Sequence, residues 1–187
     1  MPRAGLTADR VIAEAAALVD DQGIDALTLA TLAARLDVRA PSLYKHVASL
    51  EALRQSVAVR AKNAFGDVLE AAAGELAGDA AVRAIAHAYR EWARRHPGRY
   101  SLTLRAAYPD DPDDVLASTH AVRVMLRVVE PWQLSETEGI DFVRSLRSLL
   151  HGFVTLEEAG AFALPISLDG SFERSIDRLI GAYTPVV

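Results

Sequence analysis

The chain has 187 residues, of which 51% are hydrophobic, and a formal net charge of −5. It contains no cysteine, which excludes disulfides, thiolate nucleophiles and thiolate metal sites. No apolar run reaches the roughly 18 residues of a membrane span, and the first ten residues lack a signal-peptide core, so we expect a cytoplasmic protein. Abundant alanine with few β-branched or aromatic clusters predicts an all-α fold.

The charge is unevenly distributed along the chain. Residues 1–62 carry a net charge of +1, whereas residues 63–187 carry −6. An acidic surface repels DNA, but residues 35–62 have a local balance of +4, which predicts a small basic patch. The cations of this segment are Arg35, Arg39, Lys45, Arg54, Arg60 and Lys62.

Helical periodicity runs through the chain and is interrupted by caps and breakers. Thr7 can cap a first helix and Gly23 can end it. Ser135 and Glu138 have the spacing of a capping box, in which each side chain satisfies the other residue's backbone amide. Later helices are predicted over about residues 50–74, 79–95, 115–129, 136–160 and 170–183.

Two short helices joined by a three-residue turn are predicted over residues 28–47. Residues 37–39 form the turn, and Leu43 and Val47 lie one turn apart on the inner face of the second helix. This arrangement places one helix in the major groove of DNA. The DNA-contact candidates are the cap of the first helix and the remaining faces of the second: Thr28, Arg39, Ala40, Ser42, Tyr44, Lys45 and His46.

These candidates have chemistry that suits a duplex. Arg39 and Lys45 can neutralise phosphate or donate to guanine, and the Tyr44 hydroxyl can donate to phosphate. Ser42 can bond a base edge or a phosphate, and Ala40 can meet a thymine methyl. The alternative interpretation is a plain helical hairpin whose basic residues are solvated.

Residues 29–47, which read Leu-Ala-Thr-Leu-Ala-Ala-Arg-Leu-Asp-Val-Arg-Ala-Pro-Ser-Leu-Tyr-Lys-His-Val, resemble the DNA-binding segment of the tetracycline-repressor (TetR) family of bacterial regulators. Three positions depart from the family pattern. Asp37 stands where the family has glycine, Val47 where it has an aromatic residue, and Leu50 where it has lysine. The missing lysine implies one phosphate contact fewer, unless Arg54 faces the DNA.

The resemblance implies two domains, a helix-turn-helix domain over residues 1–48 and a ligand-binding and dimerisation domain over residues 49–187. Residues 149–153 resemble the Trp-His-Gly subtype of the family's C-terminal domain, with Leu150 in place of tryptophan. The implied function is a repressor that a small-molecule effector releases from a palindromic operator, without a cofactor. A homodimer would set the recognition helices about 34–36 Å apart, which is one DNA turn.

The resemblance also places a dimer interface on the last two long helices and an effector pocket among the middle helices. The wide apolar arc of residues 142–156 independently predicts two sets of packing partners for that helix. The interface candidates are Phe142, Leu146, Leu149, Phe172, Ile176, Leu179 and Tyr183. The pocket candidates are Tyr89, Trp92, Tyr100, Leu104, His120, Met125 and Phe153, each of which can equally be a core residue.

Two other classes of function fit the sequence less well. A helical di-iron enzyme needs Glu-x-x-His pairs, and the sequence contains none. It also lacks zinc-protease, nucleophile-elbow and phosphate-loop motifs, so we do not expect an enzyme. A helical adaptor would present an apolar groove to a protein partner, and the basic second helix disfavours it.

Overall fold

The computed structural model describes residues 6–184, which contain nine α-helices, two short 3-10 helices and no strand. This confirms the all-α prediction. Among the helices of this range, none is both long and apolar enough to cross a bilayer. The α-helices are α1 (Ala8–Gln22), α2 (Leu29–Arg35), α3 (Ala40–Leu43), α4 (Leu50–Ala73), α5 (Gly78–Arg95), α6 (Pro97–Thr103), α7 (Pro112–Val128), α8 (Glu136–Glu158) and α9 (Leu168–Tyr183), and the 3-10 helices are Ile24–Ala26 and Glu130–Trp132.

The helices form two compact units. The first unit contains the chain up to Ala64 together with residues 96–118, and the second contains residues 65–95 and the chain from Thr119 onward. Helices α4 and α7 therefore contribute to both units. The functional division after residue 48 remains a prediction, since these units describe packing alone.

Local signals of the sequence set the helix ends of the first unit. The Thr7 hydroxyl accepts a hydrogen bond from the Arg10 backbone amide at 3.2 Å, which confirms the predicted cap of α1. Gly23 ends this helix at φ 81°, and its amide donates to the Val19 carbonyl at 2.8 Å. The hydroxyl of Ser49 accepts from the amide of Ala52 at the start of α4.

Helix α6 packs in close backbone contact with the last turn of α1. A Cβ atom added at Gly98 would lie 2.0 Å from the Val19 carbonyl oxygen, so only glycine permits this approach. The Asp20 carboxylate accepts hydrogen bonds from the backbone amide and the guanidinium of Arg99, at 2.8 and 2.6 Å. The His96 ring nitrogen Nδ1 lies 3.0 Å from the same carboxylate. These contacts make α6 part of the first unit.

Substituting Gly98 is expected to destabilise the first unit. The new methyl group of Gly98→Ala would overlap a backbone carbonyl, so the free energy of unfolding should fall by about 1–3 kcal/mol or more. Urea denaturation followed by circular dichroism measures the change. Gly181→Ala is the matched control, because a Cβ atom there meets nothing within 4 Å. Equal stability of the two variants would contradict the close contact.

A buried ion pair joins α4 to the start of α7 within the first unit. The ammonium of Lys62 donates to the Asp114 carboxylate at 2.5 Å and to the Ser118 hydroxyl at 2.8 Å. The carboxylate also accepts from the Tyr108 backbone amide at 3.0 Å and from Arg105 at 3.2 Å. Burial opposes the charge of Asp114, but the hydrogen bond from Lys62 and the other donors outweigh it and hold its pKa below the usual range.

The second unit has an aromatic core to which α5, α8 and α9 contribute. Phe65 makes an edge contact with Tyr89, with ring centroids 4.9 Å apart, and a tilted contact with Trp92 at 5.1 Å. Phe142 makes edge contacts with Trp132 and Tyr183. Helix α8 packs against both α5 and α9, which confirms that its wide apolar arc has two sets of partners.

Arg90 of α5 forms ion pairs with residues of α8 and α9. Its guanidinium donates two hydrogen bonds of 2.7 Å to the Glu157 carboxylate and one of 2.8 Å to Asp169. The same group lies over the ring of Phe172, with its central carbon 4.8 Å from the ring centroid. The bond from Arg90 is the largest influence on Glu157 and lowers the pKa of that carboxyl group.

Candidate nucleic-acid interface

The predicted turn between α2 and α3 is present. Asp37 adopts φ 54°, the left-handed conformation for which glycine would be favoured, and aspartate tolerates it better than most residues. The amide of Val38 donates to the Ala33 carbonyl at 3.0 Å, which closes the turn. The departure from the family pattern at Asp37 is therefore compatible with the same backbone geometry.

Helix α3 is anchored through one face. Leu43 and Val47 are buried, as predicted, in a cluster that includes Leu32 and Leu36. The regular helix ends at Leu43 and continues as a turn, in which the amides of His46 and Val47 donate to the Leu43 carbonyl. The helical part is therefore shorter than the sequence pattern indicated, but its inner face is the expected one.

The opposite side of α3 presents polar side chains to solvent. Tyr44 is 60% exposed, and Arg39 and Lys45 are also exposed. Arg39 is the residue that precedes the first turn of the helix. The remaining candidates of this segment, Ala40, Ser42 and His46, are half-buried. Residues 39–45, which contain α3 and the residues that flank it, thus carry a phenol and two cations on a surface that packing does not use.

The start of α2 is capped more extensively than the sequence suggested. The Thr28 hydroxyl accepts from the amide of Thr31 at 3.0 Å, and the Thr31 hydroxyl accepts from the amide of Thr28 at 3.0 Å. The Thr31 hydroxyl also donates to the Ala26 carbonyl. The sequence did not indicate this role of Thr31, because the capping-box pattern expects Glu or Gln at this position. The Thr28 side chain therefore acts as a cap.

The predicted basic patch is smaller than the sequence count implied. Arg35 pairs with Glu14 and Asp21, and its hydrogen bond to Glu14 is the main reason that the pKa of Arg35 is raised. Arg60 pairs with Asp9. Lys62 is buried against Asp114, as described above. The prediction of a six-cation patch is wrong, because carboxylates that lie nearby in the fold neutralise Arg35, Arg60 and Lys62.

Arg54 is also occupied inside the first unit. It is half-buried, and its guanidinium donates to the Leu27 carbonyl at 3.3 Å. This contact engages the guanidinium within its own unit, and a role of Arg54 in place of the family lysine stays a prediction. Leu50, which stands in the position of that lysine, packs against the apolar cluster of this unit. Arg39 and Lys45 remain as exposed cations of the segment.

The pocket candidates do not all lie in the same unit. Tyr89, Trp92 and Met125 are buried in the second unit, where His120 and Phe153 are half-buried. Tyr100 and Leu104 belong to the first unit, and Leu104 is exposed.

Two open grooves of the second unit are lined by other residues. One has a volume of about 440 Å³ and is lined by His87 and neighbouring charged residues of α5. The other, of about 330 Å³, lies between Leu126 and Ile140. The pocket thus stays a prediction.

His120 is held by neighbours of its own unit. Its ring nitrogen Nε2 lies 3.1 Å from the Glu70 carboxylate, and Nδ1 lies 3.7 Å from that of Asp67. The ring also covers Gly66, where an added Cβ atom would come within 2.4 Å of it. The structure favours the alternative role of this histidine as a core residue, because protein groups satisfy the hydrogen bonding of its ring nitrogens.

The interface candidates separate into two groups. Phe142, Leu146, Phe172 and Ile176 are fully buried inside the protomer, so they form its core and cannot contact a partner. For these four side chains the interface prediction is wrong, because the apolar arc of α8 packs against α5 and α9 within the protomer. Leu149, Leu179 and Tyr183 are half-buried and keep accessible surface.

The exposed side chains of residues 39–45 form a surface suited to binding. Over residues 6–184, no group of three or more His, Asp or Glu side chains is placed to hold a metal ion. The phenol and cations of α3 can contact phosphates and base edges, which is the chemistry of duplex recognition.

Comparisons with known proteins agree with this geometry. Residues 11–57 match the model described as "Bacterial regulatory proteins, tetR family", and residues 82–179 match "Tetracyclin repressor-like, C-terminal domain". A relative, the uncharacterized HTH-type transcriptional regulator YobS of Bacillus subtilis, is 35% identical over 161 residues, which are 86% of this chain and 84% of YobS. The Trp-His-Gly subtype stays a prediction.

Solved structures share the fold. A protein of unknown function from Rhodococcus sp. RHA1 has a TM-score of 0.84 at 22% identity and covers 99% of this chain and 100% of its own. A TetR variant from Acinetobacter baumannii AYE, in complex with minocycline, has a TM-score of 0.67 at 21% identity, over 96% of this chain and 97% of its own. With both family models matched and the helix-turn-helix in place, the chain belongs to the TetR family of DNA-binding transcriptional regulators.

Proposed function

We propose that the chain represses transcription by binding a roughly palindromic operator as a homodimer, through α3 of each protomer. The observation that carries this proposal is the division of residues 39–47, which contain α3 and its flanking turn, into two sides. Leu43 and Val47 fix one side in the core, and Arg39, Tyr44 and Lys45 stand exposed on the other. A helix fixed in this way can enter a major groove without rearrangement of the unit that holds it.

Each candidate has a distinct proposed role. Lys45 and Arg39 neutralise phosphates or donate to guanine, and the Tyr44 hydroxyl donates to a phosphate. The half-buried Ala40, Ser42 and His46 contact the duplex only where it approaches closely. At the start of α2, the Thr28 hydroxyl is engaged as a cap, so the contribution of this helix comes from its backbone amides.

Release by a small-molecule effector completes the proposal. The Acinetobacter TetR variant, which shares this fold, is in complex with minocycline, and this supports a small-molecule ligand for the chain. Tyr89, Trp92, Met125, His120 and Phe153 are the pocket candidates that share one unit. An effector bound among them should change the fluorescence of Trp92, and Trp92→Phe should abolish that response while Trp132 remains. A response that persists in this variant would place the effector elsewhere.

Selection from random duplexes tests the proposed operator. The chain should enrich an inverted repeat whose half-sites are about 10 base pairs apart, because two-fold symmetry places the recognition helices one turn apart. A pool without enrichment, or a single asymmetric motif, would contradict the dimeric arrangement. We also propose that the protein acts on DNA in the cytoplasm.

Salt dependence of the same complex tests the two cations. Each phosphate that is neutralised adds about −0.9 to the slope of log K against log salt, so Arg39 and Lys45 of two protomers give a slope of about −4. Lys45→Ala should reduce the magnitude of the slope by about 2 in the dimer. A slope near zero would favour a protein partner over DNA.

A further inference from the structure

Arg54 of α4 has a half-buried guanidinium that no carboxylate neutralises. Within residues 6–184, each of the other buried or half-buried lysines and arginines pairs with a carboxylate: Lys62, Arg83, Arg90, Arg99 and Arg105. The guanidinium of Arg54 makes one hydrogen bond, from Nη2 to the Leu27 carbonyl. Withdrawing a charge from water without a counter-charge is costly. The first unit therefore contains a cation whose counter-charge it does not supply.

The Nε–H group of the same guanidinium is buried and has no hydrogen-bond partner. In the described part of the chain, it is the one buried side-chain nitrogen or oxygen atom of which this is true. The large majority of buried polar side-chain atoms in native proteins are paired, because an unpaired donor keeps the full cost of its desolvation. A carboxylate matches the fork of N–H groups on a guanidinium, so it is the acceptor that suits Arg54 best.

Arg54 lines an open cavity of about 160 Å³ that lies entirely within the first unit. The lining combines three apolar side chains with five polar ones: Ile24, Ala58 and Leu102, and Glu51, Arg54, Gln55, Arg105 and Tyr108. The volume equals that of about five water molecules in the liquid, which is room for an organic molecule of about six non-hydrogen atoms. The cavity contains none of the pocket candidates of the second unit.

Protein groups already engage the other polar side chains of this cavity. Arg105 donates to Asp114 at 3.2 Å, and its central carbon lies 4.0 Å from the centroid of the Tyr108 ring. The Gln55 amide donates to Asp111. Arg54 is therefore the donor of the lining that is left without an acceptor.

The charges of the lining favour an anion as the missing acceptor. Two cations, Arg54 and Arg105, face one anion, Glu51. Glu51 is exposed, and it accepts from the Tyr108 hydroxyl at 3.4 Å instead of pairing with Arg54. One additional negative charge would balance the lining.

We propose that this cavity binds a small organic monocarboxylate. Its carboxylate accepts hydrogen bonds from Arg54, and its short hydrocarbon part lies against Ile24 and Leu102. A site with an apolar wall and a single unsatisfied polar anchor is the usual form of a small-molecule pocket. Because Arg54 also holds the carbonyl of Leu27, the residue before the cap of α2, the bound acid would order a side chain that contacts the helix-turn-helix. The site is distinct from the effector pocket of the proposed function.

Nuclear magnetic resonance of the full chain without DNA tests the site, with butyrate as the probe. The Nε–H signal of Arg54, identified by its absence from Arg54→Lys, should shift in a saturable way as butyrate is added. Butyramide has the same shape without the charge and should leave the signal in place. Absence of a shift with butyrate, or an equal shift with butyramide or inorganic phosphate, would overturn the proposal.

A pair of matched variants gives the second readout. Arg54→Lys should raise the dissociation constant of butyrate about tenfold or more, followed through the backbone amide signal of Tyr108, because lysine keeps the charge but lacks the fork of donors. Arg60→Lys is the control, since Arg60 lies on the same helix, pairs with Asp9 and does not line the cavity. Equal affinity in the two variants would contradict the role of Arg54. No DNA is present, so these results do not depend on operator binding.

Discussion

Asp114→Ala is expected to lower the free energy of unfolding by about 3–5 kcal/mol, because it leaves the buried ammonium of Lys62 without its counter-charge. Both side chains are nearly inaccessible, at 3% for Lys62 and 0% for Asp114. The substitution also removes the acceptor of Arg105 and of the Tyr108 amide. Urea denaturation at neutral pH, followed by circular dichroism, measures the loss.

A paired substitution separates lost charge from lost packing. The double variant Lys62→Met, Asp114→Leu replaces the ion pair by apolar groups of similar size, which is often neutral or stabilising. It should therefore be more stable than Asp114→Ala. If the double variant is the less stable of the two, the ion pair itself, and not the cost of an unpaired charge, determines the stability.

The pH dependence follows from the lowered pKa of Asp114. A carboxyl group with a depressed pKa in the folded state contributes stability above its ordinary pKa of about 4, and this contribution is lost as the pH falls through the folded value. The stability of the original chain should therefore fall below pH 4, and the difference from Asp114→Ala should narrow. A difference that is constant down to pH 2 would show that the pair makes no such contribution.

Tyr44→Ala combined with Lys45→Ala is expected to raise the operator dissociation constant at least 100-fold. Hydrogen bonds that involve a charged group contribute about 1.5–3 kcal/mol each, and the dimer loses every contact twice. Both side chains are exposed, so the variant should keep its stability. Fluorescence anisotropy with a labelled operator measures the affinity.

Two controls sharpen this result. Arg123→Ala removes an exposed cation of the second unit and should leave the affinity unchanged. Tyr44→Phe keeps the ring and removes the hydroxyl, so its loss of affinity isolates the proposed phosphate bond. If Arg123→Ala weakens the complex as much as the double variant does, the effect comes from net charge and not from α3.

Features that depend on neighbouring residues were predictable from the sequence. The caps at Thr7 and Ser135 and the end at Gly23 follow from hydrogen bonds within one turn, and all three are present. The inner face of α3 followed from the spacing of Leu43 and Val47. Each of these depends on the chemistry of a few adjacent positions.

Contacts between distant segments were not predictable in this way. The charge count of residues 35–62 places Lys62 in the basic patch, although its carboxylate partner lies 52 residues away. A signal was available, since Lys62 falls on the buried stripe of Ala58, Phe65 and Leu69. The arc of α8 likewise indicates two partners without identifying them as α5 and α9, so the predicted interface includes core residues.

Affinity cleavage tests most directly whether α3 lies in the major groove of an operator. Because the chain has no cysteine, Ala48→Cys places a single attachment point just after α3 for an iron chelate that cuts nearby DNA. The labelled dimer should cut the selected operator in two symmetric regions about one helical turn apart, whereas a label at Leu76→Cys should not. Cleavage that is absent, or equal from both positions, would contradict recognition of DNA through α3.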